Sequence, residues 1–299
     1  MDKHDGRFRR PSGHADARAT TRDPRRAKAK GRGRGKDSQP YIPPPAALPK
    51  DVHQARKKIA VISDLHAGSK YWRPDELSNF VNTAYEEGVR IVLVPGDLLD
   101  GCYRHGIFEV SAASIDEQAL QLLGALPMRP GLKYYFITGN HEHTFTAVSG
   151  LDVGSFLEDF ARRFARHDLV YCGNRLAFLE IDGVKICMWH PAKGYSRAKV
   201  IRQVQSMPPD IKLMFIGHWH KWEWIPAVVP WGCHAFVMPS WQGGAMGTNS
   251  DFGNSLPEYS VPGGLVLSWN QTEDGQINQM DVSLRTITEL PEVQPCVIL

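Results

Sequence analysis

Past residue 50 the chain alternates short apolar runs with amphipathic stretches, and each has the length and period of one element of an α/β protein. Ile59–Ser63 predicts a first strand. Around Asp75–Glu87 the apolar residues Leu77, Phe80, Val81, Ala84 and Tyr85 recur at helical spacing, and Gly88 supplies a stop signal. Ile91–Val94 reads as a second strand, and Ser114 with Glu117 forms a capping box that opens a helix carrying Ile115, Ala119, Leu122, Leu123 and Leu126. Tyr134–Thr138 is a third strand, followed by a helix near Ser155–Ala165. Asp182-Gly183 then sits between Ala177–Ile181 and Val184–Trp189 as a two-residue hairpin turn. Leu213–Ile216, Ala235–Met238 and Leu265–Trp269 complete the strands. After Trp189 the pattern is mostly β, which predicts a second sheet or a sheet pair within a single domain.

The first 50 residues follow no such pattern. Residues 1–40 hold 13 Lys and Arg against 5 Asp, a balance of +8, while the remaining 22 basic and 27 acidic residues give −5 and return the formal +3. With almost no large apolar residues before the prolines from Pro40 to Pro49, this segment reads as a disordered basic and Pro-rich tail over 1–50, with the folded domain spanning 51–299. Such a tail is either a tether for DNA, RNA or another anionic surface, or a solvated leader. The 299 residues suffice for a sizeable core, and 42% hydrophobic with 22% charged residues excludes a wholly disordered or coiled-coil chain. No apolar run approaches the ~18 residues of a membrane span and no signal-peptide h-region follows the N-terminus, which predicts a soluble protein. Five scattered cysteines without a C-x-x-C pair argue for a reducing, cytoplasmic setting. The terminal Cys296-Val297-Ile298-Leu299 fits a prenylation pattern but lacks a polybasic neighbour, so an apolar terminal strand is the simpler reading. No phosphate-binding G-x-x-x-x-G-K-[ST] and no G-x-S-x-G elbow occurs.

Chemistry gathers where strands end. Ile59–Ser63 runs into Asp64-Leu65-His66, Ile91–Val94 into Gly96-Asp97-Leu98-Leu99-Asp100, and Tyr134–Thr138 into Gly139-Asn140-His141-Glu142. Val184–Trp189 ends at His190, and Leu213–Ile216 runs into Gly217-His218-Trp219-His220. In open α/β sheets, sites lie beyond the carboxyl ends of the strands, so five loops are expected to build one site. Its donors are oxygen and imidazole without thiolate, which suits Mn, Fe, Zn, Co or Ni. Asp64, His66, Asp97, Asn140, His190, His218 and His220, with His141 and Asp100 besides, give seven or more donors, which exceed what one ion takes while leaving room for water. Two ions about 3.5–4 Å apart, sharing a carboxylate, would clamp the attacking and leaving oxygens of an in-line displacement.

Asp64-x-His66, Gly96-Asp97-x-x-Asp100, Gly139-Asn140-His141-Glu142, the lone His190 and Gly217-His218-x-His220 occur in the order found in the calcineurin-like metallophosphoesterases, which the chain resembles over residues 57–270. With 12 histidines in 299 residues, five chance matches at His positions are very improbable. The resemblance implies two packed mixed β-sheets flanked by helices. It implies that Asp64, His66, Asp97 and His220 hold one divalent ion and Asp97, Asn140, His190 and His218 the other, manganese being the first choice. It further implies that a water or hydroxide between the ions attacks phosphorus, that His141 stabilises or protonates the leaving oxygen, and that Asp100 orients the His141 ring.

The protein-phosphatase branch carries Arg-Gly after its second motif and Arg before the third, where this chain has Gly101-Cys102 and Thr138. Without these grips on a phosphomonoester dianion, the expected activity is a phosphodiesterase on nucleic acid or a nucleotide diester. A phosphomonoesterase or pyrophosphohydrolase with the same site is the alternative, and a non-catalytic nucleic-acid-binding protein using the tail is a third. Trp219, Trp222, Trp224, Trp231 and Trp241 read either as base-stacking platforms or as filling between sheets. The Gly/Ser/Asn-rich stretch from Trp241 to Gly263 is long enough for a lid or substrate loop, and Tyr103-Arg104-His105 is either a phosphate contact or a solvated loop.

Overall fold

The strands of this chain read as unbroken apolar runs because each sheet is covered on both faces. The computed structural model describes the backbone of Ala46–Ala47 and residues 57–103, 110–192, 194–227, 232–246, 258–271 and 277–287, all within the unit Pro43–Leu299. The basic segment, Arg104 and His105, Trp231, the centre of the Trp241–Gly263 stretch and Cys296 lie outside the described residues.

In chain order the elements are β1 (Ala46–Ala47), β2 (Lys57–Val61), α1 (Pro74–Glu86), β3 (Ile91–Pro95), α2 (Ile115–Ala125), β4 (Lys133–Thr138), α3 (Asn140–Ser149) and α4 (Val153–Arg163). There follow β5 (Leu169–Asn174), β6 (Leu176–Ile181), β7 (Val184–Trp189), α5 (Arg197–Gln205), β8 (Ile211–Ile216), β9 (Glu223–Ile225) and β10 (His234–Val237). The last are β11 (Gly244–Met246), β12 (Glu258–Ser260), β13 (Gly263–Gln271) and β14 (Ile277–Thr286).

Two six-stranded mixed sheets result. The first has the order β14-β13-β2-β3-β4-β5, with β2 to β5 parallel and β13 antiparallel to both its neighbours. The second has the order β1-β6-β7-β8-β10-β9, in which β7, β8 and β10 run parallel. Alternation divides the side chains among three layers. Ile59 and Val61 of β2 face the second sheet, where they join Leu93, Ile137, Ile186, Met188, Leu213, Phe215, Phe236 and Leu267. Ala60 and Ile62 face the other way, onto α1, α2 and α4 through Leu77, Val81, Leu122, Leu157 and Ala161. On the far side of the second sheet, Cys187, Met214, Ile216 and Ala235 pack against Val200 and Val204 of α5.

Local signals act as their chemistry dictates. Ser114 caps α2 by accepting the Glu117 N–H at 3.2 Å, and Glu117 returns the contact to the Ser114 N–H. Asp182 and Gly183 take φ of 51° and 83°, the doubly left-handed turn that matches the twist of the β6–β7 hairpin. The chain after Trp189 is mostly β, as expected, but among the described residues it also holds helix α5, which the pattern did not announce. Only Val200 and Val204 of that helix are buried, too few to print a helical period.

The seam between the sheets predicts its own energetics. Phe215 is fully buried and stacks on Phe236 with centroids 5.5 Å apart. Phe215→Ala is expected to cost about 3–5 kcal/mol in urea unfolding. A loss below about 1 kcal/mol would show that the two sheets do not share this core.

Candidate metal centre

Three of the five strands that lead into the site, β2, β3 and β8, end on turns that only some residues make cheaply. Among the described residues eight non-glycines have positive φ, and five of them are Asp64 (52°), His66 (53°), Asp97 (52°), His218 (83°) and His220 (52°). Asp and His tolerate the left-handed region better than most residues, yet each still carries strain of order 1 kcal/mol. Parallel pairing holds the strain in place. Beyond the ends of β2 and β3, Asp64 donates its N–H to Gly96 O (3.1 Å), His66 to Asp97 O (3.1 Å) and Ala67 to Leu98 O (2.9 Å). The ladder therefore continues through the first two loops. The third loop opens α3, and the fourth and fifth leave the parallel pair β7 and β8 of the second sheet.

All nine residues singled out from the sequence come together here. Asp64 is fully buried: its carboxylate accepts the Ser63 hydroxyl (2.6 Å) and the His218 N–H (2.8 Å), with His220 Nε2 3.4 Å away. Its carbonyl is held by the Ser240 hydroxyl (2.8 Å) and the Trp241 N–H (3.0 Å). Asp97 Oδ1 accepts the His141 N–H (2.9 Å). Asp97 Oδ2 lies 3.1 Å from His190 Nε2 and 3.9 Å from His141 Nε2, buried and without the alignment of a hydrogen bond. His190 Nδ1 donates to Pro95 O (2.8 Å), which leaves Nε2 facing Asn140 Oδ1 (3.0 Å). His66 Nε2 and His220 Nε2 face each other at 3.0 Å, a contact in which at most one nitrogen can carry the proton.

Three overlapping groups of side chains could each hold a metal ion: Asp64, His66 and His220; His66, Asp97 and His141; and Asp97, His190 and His218. Within each group the donor atoms lie within 4.8 Å of one another. Asp97 belongs to two of them. Protonation follows position. Burial, then the neighbouring His141 and His220, pushes His66 well below the ordinary imidazole range. Burial and His190 bring His218 down to about 4. Burial also pulls against the charged form of His190, but the Asp97 charge prevails and carries it up to about 9. Asp97 stays well below the usual carboxylate range, because His190 and His141 outweigh its desolvation. An anionic carboxylate with an orphaned buried oxygen, among nitrogen donors without thiolate, fits divalent cations of the Mn, Fe or Zn kind.

Asp100 meets the His141 ring through its backbone. The His141 ring is held through Nδ1 by the Asp100 backbone carbonyl at 2.6 Å, whereas the Asp100 carboxylate is 3.9 Å from that nitrogen. The carboxylate instead lies 3.3 Å from His66 Nδ1, with Gln242 Nε2 3.5 Å away. Sequence reading passed over Glu142. Its buried carboxylate accepts the N–H of Leu99 and of Gly139, both at 2.7 Å, and so ties the second loop to the third. Burial, aided by Asp97, pushes this carboxyl up to about 7. The available signal was its place three residues into α3, where a carboxylate reaches back to the preceding N–H. Tyr103 meets His141 edge-on at 4.7 Å and takes the Asn140 amide on its hydroxyl (3.1 Å). Arg104 and His105 lie outside the described residues, and His143 is exposed on α3. Trp219 and Trp241 are buried core residues, Trp222 packs against the intersheet layer, and Trp224 is exposed.

A sequence-family model described as calcineurin-like phosphoesterase matches residues 57–222. A search of curated proteins returned no match. Among solved structures, a Vps29 single mutant from Entamoeba histolytica is 16% identical, with 77% of this chain and 99% of that one covered at a TM-score of 0.38. A 5'-nucleotidase precursor from Thermus thermophilus is 11% identical, with 77% and 54% covered and a TM-score of 0.38. The Haemophilus influenzae NAD nucleotidase is 14% identical, with 78% and 49% covered and a TM-score of 0.39.

The packing of the loops leaves no room for a side chain at Gly139. A Cβ there would overlap Asp97 Oδ1 and lie 2.7 Å from His190 Nε2, although the backbone φ of −116° suits alanine. Gly139→Ala is expected to weaken Mn²⁺ binding at least about tenfold by calorimetry, with the circular dichroism spectrum retained. Gly124→Ala, where a Cβ meets nothing within 4 Å, is the control and should bind as the parent does. Equal affinity in both variants would separate Asp97 and His190 from the metal.

Proposed function

Because the chain belongs to the calcineurin-like phosphoesterases, whose family model spans more than half of it, we propose that it is a two-metal phosphodiesterase acting on nucleic acid or a nucleotide diester. The observation that carries this reading is Asp97, whose buried Oδ2 accepts no hydrogen bond and whose carboxylate belongs to two of the candidate metal groups. In this reading Asp64, His66, Asp97 and His220 hold one divalent ion and Asp97, Asn140, His190 and His218 the other, with manganese as the working metal. When bound, such a pair supplies Lewis acidity and makes a neighbouring water a better nucleophile.

The protein's own part in proton transfer falls to His141. A carbonyl oxygen can only accept, so the 2.6 Å contact with Asp100 O puts a proton on His141 Nδ1. The second ring nitrogen, Nε2, then faces the substrate side and, in the cationic ring, carries the proton that passes to a leaving oxygen, leaving the neutral Nδ1–H ring behind; the side chain is 22% exposed. Asp100 thus orients the acid's ring through its backbone carbonyl, while its carboxylate lies 3.3 Å from His66 Nδ1 without hydrogen-bond alignment.

Among the described residues, Arg175 is the cation held beside Thr138 at the wall of the site next to α3. Gly101 and Cys102 follow Asp100, and the Thr138 hydroxyl is engaged with Asn174 Oδ1 (3.1 Å). A monoanionic diester needs less charge compensation than a monoester dianion, which supports the diester reading. One feature favours the monoesterase or pyrophosphohydrolase alternative. Arg175 donates its N–H to Thr138 O (3.1 Å), its carbonyl accepts the His190 N–H (2.8 Å), and no described carboxylate pairs with it. In this reading the net charge of +8 over segment 1–40 would add sequence-independent affinity for nucleic acid. Among the described residues no helix is long and apolar enough to cross a membrane, and four free thiols suit the cytoplasm.

The test compares kcat/KM for bis(p-nitrophenyl) phosphate and for p-nitrophenyl phosphate with Mn²⁺ and with chelator. The diester should be preferred, chelator should abolish turnover, and Asp97→Asn should lower kcat/KM at least about 100-fold. A monoester preference would transfer the assignment to the alternative and to Arg175. Turnover that persists in chelator or in Asp97→Asn would overturn the two-metal reading.

A further inference from the structure

The segment flanking β8 is rich in cations. Between Gly194 and Trp222 the chain carries Arg197, Lys199, Arg202, Lys212 and Lys221 against a single acid, Asp210, which pairs with Lys185. Helix α5 supplies three of these cations and is pinned to the second sheet by Val200 and Val204, leaving its polar face outward. Arg197 Nε bonds Glu223 at 2.7 Å, and Glu223 also accepts the Tyr195 hydroxyl, so that carboxylate is consumed within the cluster.

Aromatic rings join these cations to the metal centre. Lys221 directly follows His220, and its Nζ sits 4.3 Å over the Tyr195 ring. Lys199 Nζ lies 5.7 Å from the Trp219 ring. Tyr195 and Trp219 meet edge-on at 5.2 Å, and Trp219 lies 6.2 Å from the His218 ring. Trp219 is buried and acts as the rigid support, while half-buried Tyr195 carries the cationic layer.

We propose that Tyr195, Arg197, Lys199, Arg202 and Lys221 form the track on which a nucleic-acid strand lies as it enters the site beside His218 and His220. The inference rests on the phosphodiesterase reading and supplies its substrate class. Charge complementarity and continuity with a phosphoester-binding centre select an anionic polymer. A lipid surface is disfavoured because Trp224 is the one exposed large apolar side chain among the described residues from 191 to 227, and a single ring is less than a bilayer-inserting face needs.

The experiment uses the full chain, so that the basic segment 1–40 is common to every protein compared. A fluorescent 20-nucleotide single strand is titrated by anisotropy in EDTA across a KCl series, with the parent, with Lys199→Gln/Arg202→Gln/Lys221→Gln, and with Lys199→Arg/Arg202→Lys/Lys221→Arg. The neutralised variant should bind about tenfold more weakly, with a plot of log affinity against log salt flatter by about 2, since each lost phosphate contact removes ~0.7 from the slope. The charge-keeping variant should retain both affinity and slope. Unchanged binding in the neutralised variant, or equal loss in the charge-keeping one, overturns the proposal. So does loss confined to phosphatidylcholine–phosphatidylserine vesicles in co-sedimentation. Because no turnover is read, failure of the hydrolase reading appears separately, as absent aryl-diester hydrolysis by the parent protein.

Discussion

A carboxylate buried with one oxygen unbonded is the constraint on which this structure turns. Desolvating Asp97 would cost several kcal/mol if nothing compensated it. Compensation comes from the His141 N–H on Oδ1 and from the His190 and His141 rings on the side of Oδ2. Each partner arrives on a different loop, so the charge can be accommodated only if the loops are placed to within a few tenths of an ångström. Gly139 has no side chain because Asp97 and His190 occupy that space, and the Glu142 carboxylate fastens the Asp97 and Asn140 loops together.

The two sheets provide that accuracy. Strands β2, β3 and β4 run parallel in one sheet and β7 and β8 in the other, so five chain segments deliver their ends to one edge. Left-handed backbone at Asp64, His66, Asp97, His218 and His220 is tolerated because the strands behind it are buried on both faces and cannot relax. Strain is thus stored where chemistry needs fixed donors, and the layers of apolar side chains hold it there.

The two walls of the site differ in kind. Near α3 several described polar groups are engaged with one another: Thr138 with Asn174, Tyr103 with Asn140, Gln118 with both the N–H and the carbonyl of Gly101. Near α5 lie cations and rings. In the proposed reading the metal centre engages only the phosphoryl group, so the choice of phosphoester falls to these walls.

What the sequence determined alone are the features written in short-range patterns. The α1 stripe, the Ser114–Glu117 box, the Asp182-Gly183 turn and the apolar strands were legible because local sterics and burial period dictate them. The ligand-type residues were legible because each follows a strand end. Helix α3 was not: its buried residue is Glu142, so no apolar face marks it. Strand β5 mixes Cys, Gly and Asn, and β14 is an edge whose described residues are mostly half-buried or exposed, which weakens the alternation that announces a strand. Tertiary structure alone decided which atom does what. That the Asp100 carbonyl takes His141 while its carboxylate turns to His66, and that Lys221 lies over Tyr195, depend on the relative position of loops distant along the chain. Such contacts are set by the packing of the two sheets, and nothing in the residues flanking each position encodes it.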